Sequence, residues 1–91
     1  MKVIINTCFG GYGIDEALAA GLGYATNDWA TRTDPQVIAA VEADAEAAAY
    51  NDCAELEVAE IPDNVTDWDI QDYDGYETLI YVVDGKIHYY D

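Results

Sequence analysis

Positive charge is what this chain has least of. Lys2, Arg32 and Lys86 are its only basic side chains besides one histidine, against nineteen Asp and Glu in 91 residues, for a net charge of −16. Such a balance disfavours anionic membranes and phosphorylated substrates, all but rules out direct binding of DNA, and draws basic partners inward. Cysteine is scarce too: Cys8 and Cys53 are too few for a disulfide framework, so two reduced thiols are expected. With His88 as the sole histidine, a zinc site from Cys8, Cys53 and His88 lacks paired ligand spacing. No apolar run approaches a membrane span, and "MKVIINTCFGG" is broken by glycine too early for a signal peptide. The expectation is a protein of the cytoplasm, without a membrane partner, cofactor or bound metal.

What is present supports a folded core. The hydrophobic fraction is 52%, and eight tyrosines and two tryptophans argue against an acidic disordered chain. The length suits one domain over residues 1–91, since a chain this short buries only roughly 60–65% of its unfolded surface. Acidity is regional. Residues 1–40 hold four acids against Lys2 and Arg32, a balance of −2, whereas residues 41–91 hold fifteen against Lys86 alone, a balance of −14.

"KVIINT" is β-branched and apolar and predicts a short central strand, followed by the turn "FGGYG". Asp15 and Glu16 then suit the first turn of a helix that Gly21 and Gly23 weaken and end. "TNDWATRT" is a connection in which Trp29 packs down. "TDPQVIAAVEADAEAAAYN" predicts one long helix: Thr33 or Asp34 caps it, Pro35 takes the first position, and Asn51 closes the end. Its apolar stripe is Val37, Ile38, Val41, Ala45 and Ala48.

"AELEVAEIP" alternates, setting Ala54, Leu56 and Val58 inward and Glu55, Glu57 and Ala59 toward water, until Pro62 and Asn64 break the strand. From Asp67 the pattern is an antiparallel meander, "DWDIQDY", "YETLIYVV" and "KIHYY", joined by Asp74-Gly75 and Asp84-Gly85. Both loop positions of a two-residue hairpin turn need positive φ, which is why Asp-Gly marks them. The fold class is therefore α+β: an N-terminal strand, two helices, then a three- to four-stranded antiparallel meander with helices on one face.

The glycine loop invites comparison with phosphate-binding turns. Those pair their glycines with a lysine and a hydroxyl, or with an acid that takes ribose. Here Gly10, Gly11 and Gly13 are followed by Asp15 and Glu16, so the loop is a strand-to-helix turn. Cys8 as a nucleophile would need a cationic neighbour or a base, and a pair with His88, the only histidine, requires the last strand to lie beside the first. "DWDIQDYDG" lacks the ligand alternation of a hand-type calcium loop. No catalytic residue is assigned.

The strand acids carry more information. Alternate residues on a strand stand about 6.7 Å apart, close to two axial phosphate steps of DNA, about 6.8 Å. Glu55 with Glu57, and Asp67 with Asp69, have that spacing, and a two-residue turn at Asp74-Gly75 sets Asp72 opposite Glu77. Two charges 7 Å apart repel by roughly 0.6 kcal/mol in water, so such pairs cost stability that solubility does not require. Either background composition explains them or a surface presents phosphate-like charge to a protein. Tyr73, Tyr76, Tyr81, Tyr89 and Tyr90 exceed what a small core absorbs, and tyrosine favours interfaces. The candidate contacts are Glu55, Glu57, Asp67, Asp69, Asp72, Tyr73, Asp74, Tyr76 and Glu77, expected to gather on one patch.

The stretches "NTCFGGYGI", "AELEVAEIPD" and "WDIQDYDGYE" give the chain a family likeness. They resemble a widespread group of small phage and prophage proteins patterned as Asn-x-Cys-aromatic-Gly-Gly-aromatic-Gly, Leu-x-Val-x-Glu-Ile-Pro-Asp and aromatic-Asp-Gly-x-Glu. The likeness falls on Asn6, Cys8, Gly10, Gly11 and Gly13, on Leu56, Val58 and Glu60 to Asp63, and on Tyr73 to Gly75 with Glu77. The final hairpin departs from that group, which tends to carry a basic, tryptophan-containing tail there. The resemblance implies a phage setting and the cytoplasm of a host, and transfers no activity. Phages encode small acidic proteins that block host defence, anti-CRISPR proteins among them. The expectation is thus an acidic inhibitor occupying the basic groove of a host nucleic-acid-binding protein, with a CRISPR effector as the candidate partner. The alternative is a phage accessory or assembly protein working through homo-oligomerisation.

Overall fold

The β-branched run near the start forms strand β1 (Lys2–Asn6) in the computed structural model, which describes residues 1–52 and 54–90. Asp15 caps helix α1 (Glu16–Leu22) by accepting the Leu18 N–H, and Gly23, in the left-handed region at φ 80°, ends it. A 3-10 turn over Trp29–Arg32 leads to α2 (Pro35–Ala43), where Asp34 is the cap and Pro35 opens the helix. The expected long helix is divided. Asp44 is extended (φ −161°, ψ 93°) and its carboxylate accepts the Ala47 N–H, so it ends α2 and caps a second short helix, α3 (Ala45–Ala48). An Asp that bonds the backbone locally competes with helix continuation.

Strands β2 (Leu56–Glu60), β3 (Asp67–Tyr73), β4 (Tyr76–Val83) and β5 (Lys86–Tyr89) follow. Both Asp-Gly turns have the predicted positive φ, at Asp74 and Gly75 and at Asp84 and Gly85. The α+β architecture stands, with its strands divided between two sheets: β1 pairs antiparallel with β2, and β3-β4-β5 form the meander.

The β1–β2 ribbon is the middle of three layers. Toward the helices it turns Ile4, Leu56 and Val58, which pack with Ile14, Val37, Val41 and Ala48. Toward the meander it turns Val3, Ile5 and Ala59, which pack with Leu79, Trp68, Ile70 and Tyr81. Helices thus cover the ribbon, and the meander covers the ribbon's other side. Ala59, expected to face water, is fully buried because the second sheet lies on that face. A strand buried on both faces reads as the continuous apolar run seen in "VII".

Among the described residues, no layer covers the meander's outer face. Register places Asp67, Val82 and Ile87 in one row across it and Asp69, Ile80 and Tyr89 in the next. The two aspartates also serve the free edge of β3. The Tyr73–Tyr76 pair that closes the hairpin directs the N–H groups of Trp68 and Ile70 away from β4. The Asp67 and Asp69 carboxylates accept those donors at 2.9 and 2.8 Å. Charged, occupied edge groups discourage sheet extension there.

Candidate functional site

Asn6 ends β1 fully buried, and all its side-chain groups are engaged. Its Nδ2 donates to the carbonyls of Cys8 and Gly75, each at 2.7 Å, and its Oδ1 accepts the Glu55 N–H at 2.8 Å. One side chain thereby fixes the glycine loop, the first hairpin turn and the entry to β2. The turn and loop are in close contact: a Cβ on Gly75 would lie 2.5 Å from the Gly11 nitrogen. The glycine loop is a seat for the hairpin, with the Gly75 turn packed directly on the backbone of Phe9 and Gly11.

Beside Asn6 lies a buried ion pair. Arg32 donates from Nη1 and Nη2 to the two Glu77 oxygens at 2.8 and 2.7 Å, with both side chains under a tenth exposed. Arg32 Nη1 also donates to the Ile4 carbonyl at 3.0 Å, while Glu77 Oε1 accepts the Asn6 N–H at 2.7 Å. A single residue of a parallel strand would make this same pair of bonds, to the carbonyl of one residue and the N–H two further on. The ion pair therefore closes the free edge of β1 as a strand would. The guanidinium lies 3.8 Å from the Tyr12 ring centroid and 5.2 Å from that of Trp29, which stacks on Trp68. Burial pushes the Tyr12 hydroxyl above the ordinary tyrosine range, opposed by its 2.7 Å hydrogen bond with Thr31.

Glu77 is therefore a correction: it was expected on an acidic patch, and it is 4% exposed and spent on Arg32. The register does set Asp72 opposite Glu77. The anticipated repulsion is offset by Arg32 on one side, and by the turn, where Asp72 accepts the Gly75 N–H at 2.7 Å.

The other candidates do not form one patch. Asp67 and Asp69 share the outer face of the meander, and Asp72, Tyr73 and Asp74 sit at the tip of its first hairpin. Glu55 borders a depression beside α3 with Glu46 and Asp52. Glu57, Tyr76 and Glu77 do converge, on a cleft of about 300 Å³ between the ribbon and the meander. It lies beside the end of β5, which pairs with Ile80 to Val83; among the described residues no strand pairs with the β4 edge at Tyr76 to Thr78. Thr7, Thr78, Tyr89 and Tyr90 complete its lining. Among the described residues, no hydrogen bond or ion pair engages the side chains of Glu57, Tyr76, Tyr89 or Tyr90. Tyr76 leans on Phe9, ring centroids 5.4 Å apart.

The sequence singled out neither Asn6 nor Arg32 as a structural pair with the hairpin. The signal was there in the lone arginine of so acidic a chain. Trp29, expected to pack down, is half exposed and stacked on Trp68. Cys8 is half-buried and unbridged, and Cys53 lies outside the described residues. Among the described residues no three metal-ligating side chains converge, and no helix is long and apolar enough to cross a membrane. No family model, curated protein or solved structure matches this chain.

Proposed function

We propose that the chain is a non-enzymatic inhibitor that docks an acidic, tyrosine-bearing surface into the basic groove of a nucleic-acid-binding protein of a phage's host, in the manner of an anti-CRISPR protein. The observation that carries the reading is the outward disposition of tyrosine within an acidic surface. Tyr73 is 74% exposed, Tyr89 59% and Tyr76 40%, on a half of the chain with a balance of −14. A core-filling role would have hidden these rings. Exposed tyrosines among carboxylates supply the flat contacts and the charge that a basic groove accepts. Of the residues expected from the sequence, the contacts this reading keeps are Glu57 and Tyr76 at the cleft and Asp72, Tyr73 and Asp74 at the hairpin tip that Tyr76 closes.

Affinity capture from a host lysate at low salt, with identification of what elutes as salt rises, tests it. The expected partner is a basic protein whose binding weakens steeply between about 50 and 500 mM salt. A complex indifferent to salt over that range contradicts the reading. A second reading, assembly through self-association, is favoured by one feature, the exposed Ile87 and Tyr89 on the uncovered meander face. A stable oligomer in solution that hides those residues would select it.

A further inference from the structure

We infer that the cleft beside the end of β5 receives an arginine side chain from a basic partner, an inference that rests on the docking reading above. Glu57, exposed, is among the residues that line it, and among the described residues no ion pair neutralises it. The neighbouring Glu77 is already balanced by Arg32, so among the described residues of the lining Glu57 is the uncompensated charge. Tyr76 and Tyr90 border the cleft, Tyr90 packed on the apolar layer between ribbon and meander, together with Thr7 and Thr78. An aromatic face attracts a cation through its quadrupole, and a carboxylate takes a guanidinium through two parallel hydrogen bonds.

The molecule already contains one arginine held by these means. Arg32 lies over the Tyr12 ring and pairs twice with a carboxylate. The cleft offers the same two elements with no resident cation. Its occupant follows by elimination on chemical grounds. Glu57 repels an anion; a hard divalent ion needs more oxygen ligands than one carboxylate supplies. A second copy of the chain would bring −16 against −16. Lysine carries the charge, but its ammonium lacks the planar fork that stacks on a ring while meeting both carboxylate oxygens.

The test uses the isotope-labelled full chain titrated at low salt with a hexa-arginine peptide and, separately, a hexa-lysine peptide. Amide shifts are followed at Thr7, Glu57 and Thr78, and the titration is repeated for Glu57→Gln, Tyr90→Leu and the outer-face double variant Asp67→Asn/Asp69→Asn. The expected result is shifts centred on those three amides and arginine bound more tightly than lysine. Glu57→Gln is expected to weaken arginine binding about tenfold, and Tyr90→Leu several-fold, while the outer-face variant changes it less than either. Unchanged shifts on the helical layer show that each variant is folded. If hexa-arginine binds but its shifts lie elsewhere, or the outer-face variant loses as much as the cleft variants, the cleft assignment is wrong and the docking reading survives. Equal binding of lysine overturns the arginine preference. If neither peptide binds at low salt, both proposals fall.

Discussion

Arg32 and Glu77 stand 45 residues apart in sequence and meet in two parallel N–H···O bonds, closing the edge of β1. The pair ties the helical half of the chain to the meander. Removing one partner strands the other charge in the interior. Glu77→Ala is expected to lower unfolding free energy by about 3–5 kcal/mol, read from urea denaturation. Arg32→Met in the same background is expected to restore part of that loss, as a double-mutant cycle shows.

Asn6 spans the glycine loop, the hairpin and β2 through three bonds. Asn6→Ala leaves the Glu55 N–H and two carbonyls without a protein partner. The expected cost is at least ~2 kcal/mol, because unsatisfied buried groups retain their desolvation penalty. Amide exchange at Glu55 is expected to accelerate, and to do so more than exchange at Ala59 in the same strand.

The two hairpin glycines are predicted to differ. Both have positive φ, 92° at Gly75 and 77° at Gly85. A Cβ at Gly85 meets open space, whereas one at Gly75 meets the backbone of Gly11 at 2.5 Å and Phe9 at 2.8 Å. Gly85→Ala bears only the conformational cost, about 1 kcal/mol. Gly75→Ala adds displacement of the loop and is expected to cost ~2 kcal/mol more, measured by thermal or urea unfolding of the two variants side by side.

Stability at alkaline pH is expected to depend on Tyr12. Burial holds its ionisation above the ordinary value of 10.0, so the folded state favours the neutral phenol. That contribution is complete below pH 10.0 and is lost as pH rises from there through the folded-state value, because the unfolded chain releases its proton first. Tyr12→Phe forfeits the bond with Thr31 at every pH, yet its stability should fall less steeply above pH 10.0. Urea midpoints on either side of that pH distinguish the slope from the constant offset.

Much of the secondary structure was legible because it is set by short-range sterics. Asp15 and Asp34 as caps, Pro35 at a first helical position and both Asp-Gly turns are decided by the conformations that a few neighbouring residues can adopt. The division of the long helix at Asp44 was missed because its helical spacing continues through a residue whose own carboxylate takes over the capping. The burial of Ala59 and of Glu77 was not readable, since each depends on which sheet lies over it.

By itself the sequence determined an α+β chain, its meander, an acidity concentrated beyond residue 40, and a glycine loop unsuited to phosphate. Those follow from composition and from interactions a few residues long. Only the tertiary structure decided that β2 leaves the meander to pair with β1, that Arg32 draws one acid of the C-terminal half inside, and that Glu57 shares a cleft with Tyr76 and Tyr90. Strand partnership and the destination of a charge depend on contacts between segments far apart in sequence, whose energies no local pattern encodes.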